Sequence, residues 1–315
     1  MNHVEKIISI AIITYNHEDY IAQAIDSVLA QVHEHTMEIV IGDDYSTDKT
    51  RNILQEYRDR YPSKIRLLMP DKHIGMMNNF VDTLNACSGK YVAILEGDDY
   101  WCNDRKLESQ ISYLEVNPEY AITFHKVIKV YADDHKEDEV LNTDLHSDVY
   151  ELEHLLSGNF IYTNSVCYRN RLFSAFPKGF RELPIGDWPL HILNAVKGKI
   201  HYDNRVMSVY RIHGGSEWSS KKAIYRKEAC LKTYDFIINI IPKYLKDVVN
   251  VKISILRIGL GSRYIKEKNI IAGVTSILGG IIVFPFIGFI ASRKVRESLG
   301  REYRLWVNNV SARNL

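Results

Sequence analysis

Between residues 7 and 95 the chain alternates two rhythms. Ile7 to Ile13 is a nearly unbroken β-branched run, the pattern of a strand buried on both faces. After a polar turn, Tyr20/Ile21, Ala24/Ile25 and Val28/Leu29 recur at three-to-four spacing, as one buried helical face requires. The unit then repeats. Glu38 to Ile41, Ile65 to Met69 and Tyr91 to Leu95 predict strands, and Thr50 to Tyr61 and Asn78 to Cys87 predict the helices between them. That alternation implies right-handed crossovers and an α/β fold, with a mostly parallel central sheet flanked by helices on both faces.

The rhythm loosens after Lys106 to Glu115, a predicted helix stopped by Asn117-Pro118. A strand is expected from Ala121 to Tyr131, a solvated acidic loop from Asp133 to Asp148, and shorter strands at Thr163 to Tyr168 and Arg205 to Arg211. From Lys221 onward the pattern is helical. Residues 270–292 carry no charge and are flanked by Lys266, Lys268, Arg293, Lys294 and Arg296. The run reaches the roughly 20 apolar residues a membrane span needs, but four glycines and Pro285 interrupt it. A peripheral or re-entrant membrane contact and a buried helix pair both fit.

Composition narrows the class. Forty Lys and Arg against 39 Asp and Glu leave no overall basic field of the kind that drives nucleic-acid binding. The four cysteines, Cys87, Cys102, Cys167 and Cys230, form no C-x-x-C pair, which argues against a zinc knuckle or redox motif. The short apolar run after a mixed-charge N-terminus does not resemble a secretory signal, so a cytoplasmic location is expected.

Three polar clusters each follow a predicted parallel strand: Thr14-Tyr15-Asn16, Asp43-Asp44 and Glu96-Gly97-Asp98-Asp99. Ligands of open α/β sheets bind at the carboxyl ends of the strands, so the three are expected to face one pocket. The three carboxylates of the last cluster repel one another unless a positive charge offsets them. Mg²⁺ or Mn²⁺ does so, and typically bridges carboxylates to substrate phosphates. Helix capping by Asp98 or Asp99 is the plainer alternative. Asp43, nearest its strand, is expected to point into the pocket, where its carboxylate can accept an imide N–H from a base; Asp48 reads as a local helix start. Farther on, Asp187 in Gly186-Asp187-Trp188-Pro189 lies beside a predicted helix, Leu190 to Val196, whose N-terminus favours an ionised carboxylate.

Taken together, Thr14-Tyr15-Asn16, Asp43-Asp44-x-Ser46-x-Asp48-x-Thr50, Gly75 to Asn79, and Glu96-Gly97-Asp98-Asp99 with Trp101 resemble the family 2 glycosyltransferases, an inverting group with the GT-A fold. The resemblance implies a nucleotide-sugar site made by Thr14, Tyr15, Asn16, Glu18, Asp43, Asp44, Gly75, Asn78, Asn79, Glu96 and Gly97. It implies a divalent cation, Mn²⁺ or Mg²⁺, on Asp98 and His213, the latter from the loop Tyr210 to Ser216, and Asp187 as catalytic base. Glu96 departs from the family's usual aspartate, and Gly186-Asp187 stands where a Glu-Asp pair is common. Lys72 and His73, before Gly75, offer charge near phosphate.

The expected division is a catalytic domain over 1–219, with a nucleotide-sugar half (1–105) and an acceptor half (106–219), and a helical region over 220–315. The implied partners are a nucleotide-diphosphate sugar, UDP-linked in preference to dTDP or GDP, and a saccharide or polyprenyl-linked acceptor at the inner face of the cell membrane. No Gln-x-x-Arg-Trp motif is present, which favours single addition over polymer synthesis. A sugar nucleotidyltransferase is the rival enzyme, but Thr14 to Glu18 is not its glycine-rich phosphate loop. A non-catalytic nucleotide-sugar-binding protein is the rival of another class.

Overall fold

Strand β1 (Ile8–Thr14) lies at the centre of the sheet, parallel to β2 (Met37–Asp43) on one side and β4 (Tyr91–Glu96) on the other. Central position explains its composition, since both faces are covered and Ile8, Ile10, Ala11 and Ile12 are fully buried. Each such isoleucine contributes about 1.5–3 kcal/mol through burial. The one polar interruption, Ser9, donates to Glu38 and accepts from the Gly89 N–H. The computed structural model describes residues 8–132, 136–215, 218 and 221–287. The chain divides into two compact units, Met1–Lys221 and Lys222–Leu315.

In the first unit the crossovers run through α1 (Ile21–Leu29), α2 (Thr50–Arg60) and α3 (Met76–Ala86), with β3 (Ile65–Leu68) at one edge. Ile21, Ala24, Ile25 and Val28 form the buried face of α1. Beyond β4 come β5 (Tyr100–Trp101), α4 (Lys106–Val116), β6 (Tyr120–Tyr131), β7 (Glu139–Val140), β8 (Val149–Tyr150), α5 (Leu152–Leu156), β9 (Cys167–Arg169), α6 (Asp187–Ala195) and β10 (Lys199–Ile212). The sheet order is β3-β2-β1-β4-β9-β6-β10-β5, and β9 runs antiparallel to both of its neighbours.

Three expectations need correction. The strand forecast over Thr163 to Tyr168 is a 3₁₀ turn, Thr163–Ser165, followed by β9. The turn arises because Asn164 and Ser165 point inward, Asn164 donating to Asp99 at 2.7 Å and to the Val209 carbonyl at 3.1 Å. The helix forecast from Leu190 begins at Asp187, with Pro189 inside the first turn, where no N–H is needed. The acidic loop is interrupted by β7, which pairs with β6, and the buried Leu141 bonds to Val127; its residues 133–135 lie outside the described residues.

The second unit is helical: α7 (Ala223–Ile240), α8 (Lys246–Lys266) and α9 (Ile270–Ile287). The α8 and α9 helices pack closely where Gly261 faces Gly273. Among the described residues no helix is long and apolar enough to cross a membrane. Residues 288–292 of the uncharged run lie outside them.

Candidate active site

Because β1, β2 and β4 are parallel and in register, Thr14 pairs with Asp43 and Ile13 with Glu96. The three polar clusters therefore leave the sheet along one edge. Gly97 follows β4 with its N–H on the Ile13 carbonyl at 2.9 Å. A methyl group there would lie 2.7 Å from Thr14 Oγ1 and 2.9 Å from His17 Nδ1, so the glycine permits the two turns to touch.

Asp98 is the hub of the cluster. Its Oδ2 lies 3.0 Å from His213 Nε2 and 3.8 Å from His17 Nε2, and one ligand atom from each of the three residues fits within 4.8 Å of the others. Burial pushes the Asp98 carboxyl up, but its surroundings, the His213 hydrogen bond foremost, outweigh it and hold the group below the usual carboxylate range. Burial lowers His17, against the pull of Asp98, favouring the neutral imidazole that a metal requires. His17 Nδ1 is tied to Thr14 Oγ1 at 3.2 Å, and the His213 ring packs 4.7 Å from Tyr20.

The neighbouring carboxyls have different tasks. Asp99 is wholly structural in its contacts, accepting from the Arg211 N–H at 2.8 Å and from Asn164. Arg211 in turn donates to the Asp98 carbonyl and to Gln23, between the rings of Tyr20 and Tyr100. Burial, then the charge of Asp98, raises Glu96 above the ordinary range, and its Oε2 is buried with no hydrogen-bond partner among the described residues. An orphaned buried oxygen at a strand end is a position ready for a ligand donor or a cation.

The second cluster divides between pocket and support. Asp43 is fully buried and accepts from the Ser46 N–H at 3.1 Å and the Ser46 hydroxyl, with Arg51 at 3.4 Å. Asp44 Oδ1 accepts the Ile74 and Gly75 N–H groups at 2.8 and 3.1 Å, clasping the loop before α3, while His73 pairs with its Oδ2. Gly75, at φ 89°, makes the turn into α3. Asn79 is buried and bonds to the Gly42 carbonyl, whereas Asn78 bonds to Ile74 and accepts from Arg181. Asn16 adopts a left-handed backbone and receives the Thr47 N–H, Tyr15 is exposed with its ring 5.0 Å from that of His73, and Glu18 exchanges bonds with the Asp48–Lys49 turn.

Asp187 opens α6 and is half-buried. Its charge bears on Glu96, and Thr163 favours the ionised form of both carboxyls, so a residue 91 positions away in sequence acts on the same cluster. Contrary to the expected dominance of the helix N-terminus, burial raises its pKa despite bonds from the Trp188 N–H and from Asn159, the latter at 2.8 Å. Sequence reasoning missed His17, Thr163 and Asn159. Of these, His17 had a signal, standing three residues after Thr14 at a strand end already singled out.

A cluster of carboxylates and imidazoles thus stands at the strand ends of a mixed α/β sheet, where ligands of open α/β sheets bind. The model of glycosyl transferase family 2 matches residues 9–178, and the chain belongs to that family. An uncharacterized protein of Mycobacterium tuberculosis, Rv1520, is 41% identical over 220 residues, covering 70% of this chain and 62% of the relative, so the chain spans under two thirds of that relative's length. The Escherichia coli UDP-Glc:alpha-D-GlcNAc-diphosphoundecaprenol beta-1,3-glucosyltransferase WfaP is 29% identical over 232 residues, 72% of this chain and 86% of WfaP.

Among solved structures, S. aureus TarS in complex with UDP-GlcNAc superposes with a TM-score of 0.66 at 17% identity, over 89% of this chain and 82% of that one. The mannosyltransferase PcManGT from Pyrobaculum calidifontis, in complex with GDP-Man and Mn²⁺, gives 0.59 at 14% identity, over 97% and 81%. The architecture is the GT-A fold.

Proposed function

We propose that this chain is an inverting glycosyltransferase that moves one sugar from a UDP-sugar to a hydroxyl of a polyprenyl-linked saccharide in cell-surface polysaccharide synthesis. The reading is supported by Asp98 lying beside both His17 and His213, and by the charges of Asp98 and Asp187 both bearing on Glu96 at the end of β4. The donor and acceptor classes are supported by WfaP, whose name specifies UDP-Glc and a diphosphoundecaprenol-linked sugar.

Asp187 is the base. As the acceptor oxygen attacks the anomeric carbon from the face opposite the leaving diphosphate, its carboxylate takes the hydroxyl proton, and the product has inverted configuration. Asn159 holds that carboxylate in place. Tyr15 and Asn16 face the nucleoside; the buried Asp43 holds the Ser46 turn, and Asp44 keeps the Gly75 to Asn79 segment in position along the donor. Glu96 offers its orphaned oxygen to a donor hydroxyl.

Asp98, His213 and His17 fit a divalent cation by donor chemistry and spacing. Mn²⁺ in PcManGT supports this choice. When bound, the cation supplies positive charge for the departing diphosphate.

The test is nucleoside diphosphate release from UDP-, GDP- and dTDP-sugars with Mn²⁺ or Mg²⁺ and membrane-lipid extract, for wild type, Asp98→Ala and Asp187→Asn. Release from a UDP-sugar that is metal-dependent and lost in both variants is expected. Release that survives Asp187→Asn overturns the assigned base, and nucleotide binding without release from any donor points to a non-catalytic binding protein.

A further inference from the structure

The overall charge of +1 conceals a strong asymmetry. Residues 1–221 hold 23 Lys or Arg against 33 Asp or Glu, whereas residues 222–315 hold 17 against 6. The boundary is that of the two structural units. Polarisation of this size points to a partner of high negative charge.

The second unit also carries an apolar stripe. On α9, Ile271, Val274, Leu278 and Ile281 are exposed, Ile271 by 83% and Leu278 by 53%. At 100° per residue these four fall within an arc of about 80°. The opposite side of the helix bears Gly273 and Gly280, which pack against α8 at Gly261 and at Ser254 and Ile258. One side of α9 is thus committed to α8, and the other presents branched aliphatics.

Lys266 and Lys268, both exposed, precede this stripe. In the sequence after α9, residues 288–315 add six Lys or Arg against two Glu. A phosphodiester polymer has use for the cations but not for an aliphatic stripe, and a hydrophobic protein groove has use for the stripe but not for the charge. An anionic lipid surface takes both, seating the apolar side chains at the acyl boundary and the cations among the headgroups.

We propose that the second unit docks on an anionic phospholipid surface through the Ile271/Val274/Leu278/Ile281 face of α9, with Lys266 and Lys268 at its headgroup rim. The helix lies in the interface. Docking is independent of the donor and of turnover.

The experiment is flotation of the full-length protein with vesicles of phosphatidylglycerol and phosphatidylcholine or of phosphatidylcholine alone, without nucleotide. Wild type should float with the anionic vesicles and weaken as salt rises. Ile271→Ser/Leu278→Ser, which alters only exposed positions, should reduce partition at least about tenfold, and Lys266→Glu/Lys268→Glu should do likewise. Circular dichroism matching wild type establishes that the variants fold.

Failure of wild type to float, or equal partition onto both vesicle types, overturns the proposal. So does a wild-type dimer that Ile271→Ser/Leu278→Ser converts to monomer while flotation is unchanged, since the stripe would then belong to a second copy. Because no substrate is present, a failed transferase assay leaves this result untouched.

Discussion

Replacing Gly97 by alanine is the sharpest test of how the strand ends build the pocket. The added Cβ lies 2.7 Å from Thr14 Oγ1, 2.8 Å from Thr14 Cβ and 2.9 Å from His17 Nδ1. Carbon contacts are optimal at about 3.5–4.0 Å, so the neighbours must yield by close to 1 Å. Thr14 cannot move freely, because its carbonyl accepts the Asp44 N–H at 3.1 Å and Gly97 itself is bonded to Ile13.

Overpacking of this kind costs about 1–3 kcal/mol. For a domain of this size each kcal/mol lowers Tm by about 2–4 °C, giving a fall of roughly 2–12 °C. His17 and Thr14 are the groups displaced, so turnover should drop by about a hundredfold, as misplacement by about 1 Å costs elsewhere. Thermal melts and nucleoside diphosphate release measure the two effects. Gly214→Ala is the stability control, since its Cβ meets nothing within 4 Å. Gly97→Ala melting with wild type and turning over within about threefold of it would refute the reasoning.

Other outcomes follow from single groups. Asn159→Ala removes a donor that favours the Asp187 carboxylate, so the acid limb of the kcat/KM profile, where activity falls as Asp187 protonates, should move to higher pH. EDTA should abolish turnover and Mn²⁺ restore it, and calorimetry should show Mn²⁺ affinity falling about tenfold or more in His17→Ala and in His213→Ala. Asp44→Ala strips a buried acceptor from Ile74 and Gly75 and should cost about 1–3 kcal/mol in urea unfolding.

Lys106 is fully buried against Trp101 and bonded to Gln110, and burial lowers it to about 7. Its folded pKa lies below the unfolded value, so the unfolded chain binds the extra proton between about pH 7 and the ordinary lysine range near 10.4. Stability should therefore rise with pH across that window by up to about 1.4 kcal/mol per unit. Lys106→Met should remove this part of the slope; an unchanged slope in urea titrations at pH 7, 8 and 9 would refute it.

The β1–α1 unit and its repeats were legible because their apolar positions recur with the period of each element. Ile21, Ala24, Ile25 and Val28 announce one helical face and Ile8 to Ile12 a doubly covered strand. Parallel neighbours in register then oblige Thr14, Asp43 and Glu96 to leave the sheet on the same side, so that half of the pocket was determined by local pattern alone. The 3₁₀ turn at Thr163–Ser165 left no such trace, because its cause is Asn164 meeting Asp99 and Val209, residues far away in the chain.

Ionisation and partnership belonged to the tertiary structure. Sequence spacing placed Asp187 beside a helix start and assigned it the ionised form, but burial, which depends on what else folds against α6, reversed the direction of its pKa shift. The same holds for Asp98, Asp99 and Glu96, three carboxyls within four residues. His213 and His17 stabilise the charge on the first, Arg211 and Asn164 occupy the second, and one oxygen of the third stays without a partner among the described residues. Periodicity is encoded by neighbours along the chain, whereas the electrostatics of a site are set by groups that only folding brings within a few ångströms.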